Sequence, residues 1–146
     1  MYQKILVPLD GSKRAEAILP HVEQLARRYT AKVIFLQVIQ PLTTFLESDT
    51  ASADVYLKAL QQQMNEAESY LSGWRAEFRE KGINAEICIA HGLVVETIIK
   101  IAKEENADLI AIASHGRTGL SRVFYGSVAS GLLHSIDRPL LLVRSM

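Results

Sequence analysis

Apolar and polar positions along the chain follow two alternating periods. Five short runs are almost continuously apolar and rich in branched side chains, a pattern typical of strands buried on both faces of a sheet. The segments between them carry apolar residues three and four positions apart, which predicts helices with one buried face. The predicted strands are residues 4–9, 32–39, 85–90, 109–113 and 139–143, and the helical faces cover residues 15–29, 57–78, 94–102 and 128–136.

Two of the helical segments need further interpretation. Pro20 lies inside the first one and lacks a backbone donor, which predicts a kink or a fresh helix start at that point. The second steps strictly by three and four from Leu57 to Phe78. This spacing fits a coiled-coil seam as well as a helix lying on a sheet. The strands predicted on both sides of it favour the helix on a sheet.

The alternating order of strands and helices indicates an α/β fold. We predict a single domain over residues 1–146, built on one doubly wound, five-stranded parallel sheet with helices on both faces. The expected strand order is 3-2-1-4-5, which places a switch point between strands 1 and 4. A ligand is therefore expected at the carboxyl ends of these strands, at residues 9–11 and 114–116. The aperiodic residues 40–52 predict a mobile loop, with a lid over this edge as one interpretation.

Charge and composition narrow the possible partners and locations. Lys plus Arg and Asp plus Glu each number 16, so the net charge is zero. Such a surface as a whole is not expected to attract nucleic acid or an anionic membrane. No apolar stretch approaches the roughly 18 residues of a membrane span, and the N-terminal apolar run is too short for a signal peptide. The expected location is the cytoplasm. Cys88, the sole cysteine, lies between two isoleucines and predicts a buried, unreactive side chain.

Residues 113–128 have the composition of an anion-binding loop. The segment leaves the fourth strand, passes Gly116 and Gly119, and enters a helix at Gly126 and Ser127. Ser127 is expected to cap that helix, whose first amides and dipole together favour a phosphate. A glycine before the cap lets the backbone approach a ligand closely. These features predict a phosphate site at the start of the helix.

The same loop carries Arg117 and Arg122, which add positive charge. The alternative interpretation is an ordinary capped helix behind a flexible loop with solvated arginines. The loop is not a Walker A motif, because no Gly-Lys-Ser or Gly-Lys-Thr follows its glycines, and the Rossmann glycine pattern is absent after strand 1.

Few other residues offer chemistry to such a site. Asp10 ends strand 1, where it is expected to accept ribose hydroxyls or support a phosphate-bound metal, and a helix cap in the Asp-Gly-Ser turn is the alternative. His115 is a candidate general base, with a hydrogen-bond donor or an exposed side chain as the commoner roles. No spacing of histidines or carboxylates predicts a dedicated metal site. We assign no catalytic residue from the sequence.

Four segments carry a resemblance to a known family. They are KILVPLDGS, VIFLQVIQP, ADLIAIASHGRTGLSRVFYGSVA and RPLLLVR. On these residues the chain resembles the universal stress protein family over essentially its whole length, least of all across residues 40–82. The nucleotide motif of that family is glycine, two residues, glycine, nine residues, glycine, and then Ser or Thr. Here the matching positions are Ala113, Gly116, Gly126 and Ser127, with alanine in place of the first glycine.

The resemblance implies ATP binding, as in the nucleotide-binding branch of the family, with any Mg²⁺ or Mn²⁺ held mainly by the phosphates. By position, Pro8, Leu9 and Asp10 would line the adenine and ribose, and Val38 would offer its backbone to the adenine. The resemblance also implies a homodimer, for which the predicted edge strand at residues 139–143 is a candidate interface. The positions expected around the phosphates are Ile112, Ala113, His115, Gly116, Arg117, Gly126, Ser127 and Val128.

The interpretation we favour is a cytoplasmic, dimeric, ATP-binding stress-response sensor or regulator. One alternative is a slow ATPase or another adenine-nucleotide enzyme. Residues 113–128 contain no Asp or Glu, which speaks against efficient hydrolysis. The other alternative is a nucleotide-free dimeric interaction module, against which Gly116, Gly126 and Ser127 speak. The sequence leaves the choice between ATP, AMP and a cyclic nucleotide open.

Overall fold

The computed structural model describes residues 1–41, 53–114 and 126–145. The strands are β1 (Lys4–Pro8), β2 (Lys32–Ile39), β3 (Ala85–His91), β4 (Leu109–Ser114) and β5 (Leu140–Arg144). A 3₁₀ turn (Ala15–Ile18) precedes the helices α1 (Leu19–Tyr29), α2 (Ala53–Glu80), α3 (Val94–Glu104) and α4 (Ser127–Ser135). From residue 42 onward the predicted lid loop lies outside the described residues, as does the glycine loop at 115–125.

All strand pairs are parallel, and the sheet has the order β3-β2-β1-β4-β5. This confirms the predicted topology. In β2, Val33 and Phe35 pack with α1 and α2, whereas Ile34 and Leu36 pack with α3 and α4 on the other face. None of these four residues is more than 2% exposed. Burial of both faces explains why the strands are almost continuously apolar, since each large side chain so buried contributes about 1.5–3 kcal/mol.

The first helical segment is broken at the predicted place. The 3₁₀ turn ends at Ile18, and α1 starts at Leu19 with Pro20 in its first turn. A proline is tolerated there because the first amides of a helix have no intrahelical acceptor. The fresh helix start is confirmed, and no kink is needed.

Helix α2 lies on the sheet through its second half. Ala67, Leu71 and Phe78 are buried there, and the ring of Phe78 meets that of Phe35 edge-on, with 5.0 Å between the centroids. This confirms the helix-on-sheet interpretation. Leu57, near the start of the same stripe, is 57% exposed, so the apolar spacing continues beyond the part of the helix that the sheet covers.

Two predicted core positions need correction. Leu133 has the apolar spacing of the helical face predicted over residues 128–136, but it is 50% exposed. The buried stripe follows Ala129 and Leu132, and the next residue lies about 100° further around the axis. Cys88 is only partly buried, against the layer of α3 and α4. Burial, more than the nearby Glu105, raises the pKa of its thiol.

The sheet ends at β5, which pairs with β4 on one side and has no other neighbouring strand in the described part of the chain. This confirms the predicted edge position of the last strand. The strand begins at Leu140, one residue later than predicted. Within the same described ranges, no helix is both long enough and apolar enough to cross a membrane.

Candidate functional site

A cleft opens at the carboxyl edge of the sheet because β1 and β4 part there. The two strands pair over only two residue pairs, the last of them at Leu6. The missing N–H of Pro8 would have faced β4, since alternate residues of a strand donate to opposite neighbours. Leu9 still donates to the Leu36 carbonyl of β2 at 2.8 Å. The elements that follow β1 and β4 cover opposite faces of the sheet, which leaves a crevice between the diverging strands.

The cleft has a volume of about 280 Å³ and contains most of the predicted site. Gly126 stands next to it, at the start of α4. His115, Gly116 and Arg117 lie outside the described residues. The predicted residues that line the cleft are Pro8, Leu9, Asp10, Val38, Ile112, Ala113, Ser127 and Val128.

Asp10 is held in a defined orientation by the turn that follows β1. Its Oδ1 accepts hydrogen bonds from the backbone N–H of Ser12 at 2.9 Å and from the Ser12 hydroxyl at 2.6 Å. The Ser12 oxygen in turn accepts from the Ala15 amide at 3.2 Å, at the start of the 3₁₀ turn. Gly11, with a φ of 86°, allows the chain to reverse between them. Asp10 therefore does stabilise the predicted Asp-Gly-Ser turn, and its Oδ2 accepts no hydrogen bond from the described residues.

The start of α4 differs from the prediction by one residue. Gly126 occupies the N-cap position with a φ of 86° and a ψ of 156°, and no side chain among the described residues caps the helix. Ser127 is the first helical residue, so its predicted role as the cap is wrong. The reason is conformational, because a φ in this region favours glycine over any residue with a β-carbon.

The amides of α4 are consequently open toward the cleft. The first helical hydrogen bond runs from the Ser130 amide to the Gly126 carbonyl at 3.0 Å. The three amides before it have no acceptor within the helix, and their residues, Ser127, Val128 and Ala129, line the cleft. This is the geometry that stabilises an anion, through the amides and the helix dipole together.

Five lining residues were not predicted. Val94 and Ile98 had been assigned only to the buried face of α3, yet the start of that helix reaches the same edge of the sheet. The chain order could have predicted this, because α3 directly follows β3 and helices that follow parallel strands all begin at the carboxyl edge of the sheet. The others are Ala15, Gln40 and Ala129.

The walls of the cleft are mainly apolar, and charge is scarce. Asp10 is the one ionisable residue among its described lining residues. Among the described ranges 1–41, 53–114 and 126–145, no group of three or more His, Cys, Asp or Glu side chains could hold a metal ion. The fold and the cleft thus define a doubly wound α/β domain with an open switch point, walled by apolar side chains and one helix N-terminus.

Comparison with known proteins identifies the family. The model of the universal stress protein family matches residues 1–144. Universal stress protein MJ0577 of Methanocaldococcus jannaschii is 30% identical over 99% of this chain and 96% of its own length. A solved structure of MJ0577 has a TM-score of 0.85 and covers 100% of this chain and 98% of that one. The chain belongs to the universal stress protein family.

Two more distant structures share the fold. A universal stress protein in complex with cAMP is 19% identical, with a TM-score of 0.70 over 99% of this chain and 98% of that one. The universal stress protein of Archaeoglobus fulgidus in complex with dAMP is 21% identical, with a TM-score of 0.68 over 97% and 98% of the two chains.

Proposed function

We propose that this protein is a cytoplasmic, ATP-binding sensor or regulator of the stress response. One observation carries the proposal. A single cleft combines apolar walls, the oriented carboxylate of Asp10 and the open amides of α4. These three features correspond to the base, the ribose and the phosphates of a nucleotide.

Each part of the nucleotide has a proposed partner. The adenine lies against the apolar side chains of Val94 and Ile98, and the backbone of Val38 contacts it. The ribose hydroxyls donate to Oδ2 of Asp10, which accepts no hydrogen bond from the described residues. The phosphates accept from the first amides of α4, which lie beyond Gly126. His115, Gly116 and Arg117 retain their predicted place around the phosphates.

Two observations on relatives support the class of ligand. Structures of family members have been solved in complex with cAMP and with dAMP, both of which contain adenine. A metal ion would be held mainly by the phosphates, since Asp10 is the one carboxylate among the described lining residues of the cleft. Slow hydrolysis stays secondary to binding for the same reason, because a carboxylate base and metal ligands are both scarce.

We further propose a homodimer that pairs β5 with its copy. The strand lies at the edge of the sheet, and Leu140, Leu141, Leu142 and Val143 are only partly buried in the single chain. An apolar edge strand of this kind invites pairing with another strand. Light scattering should give twice the chain mass at tens of micromolar, and a monomer at that concentration would contradict the interface.

The test of binding begins with the protein as purified. Mass spectrometry after denaturation identifies any nucleotide that has copurified, and calorimetry on nucleotide-free protein then compares ATP, AMP and cAMP with and without Mg²⁺. ATP at about one hundred times its Kd should stabilise the fold by roughly 2.7 kcal/mol. If millimolar ATP with Mg²⁺ produces no binding heat and no thermal shift, nucleotide binding is contradicted. The nucleotide-free interaction module is then the better description. Turnover measured on the same samples separates a binder from an ATPase.

A further inference from the structure

A second cleft lies on the other face of the sheet, between the end of β2 and helix α2. Its volume is about 430 Å³. It shares Asp10, Val38 and Gln40 with the proposed nucleotide cleft, but its remaining walls come from different residues. Apart from the shared Asp10 and Val38, neither the family resemblance nor the proposed function uses the residues of this cleft.

Two side-chain oxygens of residues that line this cleft are buried and have no hydrogen-bond partner among the described residues. They are Oε1 of Gln37, on β2, and Oε1 of Gln63, on α2. A buried oxygen without a donor is destabilising, and native proteins contain few such groups. Two such oxygens in residues of one cleft wall indicate a binding site for a ligand that donates hydrogen bonds.

Gln37 also departs from the local rule of its strand. The preceding residues of the same face, Val33 and Phe35, are fully buried and apolar, and the pattern of β2 calls for another apolar residue at this position. On α2, the lining residues Gln63, Glu66 and Tyr70 have helical spacing and continue the stripe that packs on the sheet. The stripe becomes polar where it reaches the cleft. Local exceptions of this kind concentrate at functional sites.

The ionisable groups among the described lining residues of the cleft, Asp10, Glu66 and Tyr70, also offer acceptor oxygens. Glu66 is oriented by a hydrogen bond from the Gln62 side chain at 3.1 Å, and Asp10 keeps its Oδ2 without a donor from the described residues. Tyr70 donates its hydroxyl hydrogen to Glu16 at 2.5 Å, which leaves only acceptor capacity on its oxygen. Burial first, and then this bond to Glu16, hold the pKa of Tyr70 well above its usual range, so the hydroxyl stays neutral. No Lys, Arg or His is among the described lining residues.

We propose that this second cleft binds a small organic cation, a primary ammonium or guanidinium group on a short apolar chain. Its N–H groups donate to the amide oxygens of Gln37 and Gln63, and its charge is balanced by Glu66 and Asp10. Ile39 and Pro41 give the chain an apolar wall. A metal ion fits less well, because the described residues include no cluster of three ligating side chains here. An organic cation uses the same oxygens through directional hydrogen bonds.

The experiment titrates four short-chain probes with different head groups into the nucleotide-free protein. They are n-butylammonium, n-butylguanidinium, 1-butanol and butyrate, followed through the side-chain amide NMR signals of Gln37 and Gln63. The two cations should move both signals along saturable curves, and the alcohol and the anion should not. Cations that move neither signal, or that act no differently from 1-butanol, overturn the proposal. None of the probes contains a nucleobase or a phosphate, so the outcome does not depend on whether the protein binds ATP.

Variants of α2 separate a site from general surface charge. Glu66→Gln should weaken cation binding by about tenfold, as expected for a lost charged hydrogen-bond partner. Glu68→Gln removes the same charge from an exposed position two residues away, outside the cleft, and should leave binding unchanged. Equal weakening in both variants would show a diffuse electrostatic effect and overturn the proposed site.

A stability measurement tests the unpaired oxygens directly. Gln63→Leu removes one of them and should raise the Tm while cation binding is lost, since an apolar replacement has no unmet hydrogen bond. The matched control is Gln61→Leu, because Gln61 is exposed and donates to Asn65 at 2.9 Å. It should not raise the Tm. A lower Tm in Gln63→Leu would mean that ordered water already serves the oxygen, and the proposal would fail.

Discussion

The two edges of the parallel sheet differ in whether side chains form hydrogen bonds with the polar backbone groups at the ends of strands and helices. At the amino edge, charged side chains bind the groups that strands and helices leave open. Asp108 accepts hydrogen bonds from the amides of Gln3 and Lys4 at 2.8 and 3.0 Å, at the start of β1. Nη1 of Arg138 donates to two carbonyls at and beyond the end of α3, at 2.9 and 2.7 Å. This edge is closed by the chain itself.

The carboxyl edge is left open. Helices α3 and α4 begin there with Leu93 and Gly126 at their N-caps, and within the described part of the chain neither start receives a hydrogen bond from a capping side chain. Asp10 and Ser12 do satisfy one turn, but they hold a carboxylate at the rim of the cleft rather than closing it. The comparison teaches that this chain saturates backbone groups where only the fold depends on them. Where we propose a ligand, it leaves them available.

The largest predicted effect is a loss of ATP affinity from a substitution at the open, carboxyl edge of the sheet. Gly126→Val should weaken ATP binding at least about 100-fold, roughly 2.7 kcal/mol. A valine strongly disfavours the φ of 86° at this position, so the backbone must rotate and turn the first amides of α4 away from the phosphates. Calorimetric titration measures the loss, and circular dichroism checks the fold.

The matched control places the same strain at the closed edge. Gly82 has a φ of 79° in the turn between α2 and β3, and a β-carbon added there meets nothing within 4 Å. Gly82→Val should lower stability without changing the Kd for ATP. If Gly126→Val binds ATP like the parent, the phosphates do not lie on α4 and our site assignment is wrong.

The second prediction concerns the stability lost when a hydrogen-bond acceptor is removed at the closed, amino edge of the sheet. Asp108→Ala should destabilise the protein by about 2 kcal/mol, because two backbone amides lose a charged acceptor. Asp108→Asn retains one acceptor oxygen and should lose about half as much. Urea unfolding with an unchanged m-value measures both. A change in ATP affinity alongside the lost stability would show that the two edges are coupled rather than independent.

A smaller effect sharpens the comparison at α4. Ser127 is exposed and does not cap the helix, and its hydroxyl makes no hydrogen bond to another described residue, so we expect it to serve a ligand. Ser127→Ala should weaken ATP binding by about 1 kcal/mol, roughly fivefold, with the Tm of the free protein unchanged. A lower Tm together with unchanged binding would contradict this prediction and indicate that Ser127 stabilises the start of α4, as its sequence position first indicated.

The smallest effect concerns a partly exposed ion pair on the surface. Nζ of Lys81 lies 2.6 Å from Oε1 of Glu23, and the hydrogen bond from Lys81 is the main cause that lowers the pKa of Glu23 below its ordinary 4.5. A lowered carboxyl pKa adds stability above the ordinary value, and that stability is lost as the pH falls through the folded-state pKa. Glu23→Gln should therefore lower the Tm slightly at neutral pH and not in acid. The difference should shrink in molar salt, and a difference that persists there would contradict an ion-pair origin.

The strands and their order were predictable because their signals are local and strong. The run from Lys32 to Ile39 has apolar side chains on both faces, and such a run has few places in a fold other than the inside of a parallel sheet. Right-handed crossovers then restrict the strand order, and the order fixes the switch point. Asp10 and Ala113 could be assigned to the candidate cleft from the sequence, because each lies at or near the carboxyl end of a strand flanking that point.

Other features depended on elements that are distant in the sequence. Val94 and Ile98 have the spacing of any core helix, and only the packing of α3 beside the parted strands turns them into cleft residues. The unpaired oxygens of Gln37 and Gln63 likewise belong to elements separated by the whole loop between β2 and α2.

By itself, the sequence determined which segments are strands and helices, the strand order, and the edge of the sheet where a ligand is expected. Hydrophobic periodicity is a local property, and it records which side of an element is buried. The tertiary structure alone decided what each buried side faces, that Gly126 rather than Ser127 caps α4, and that Leu133 is exposed. These depend on backbone dihedral angles and on contacts between distant elements, which the order of residue types does not encode locally.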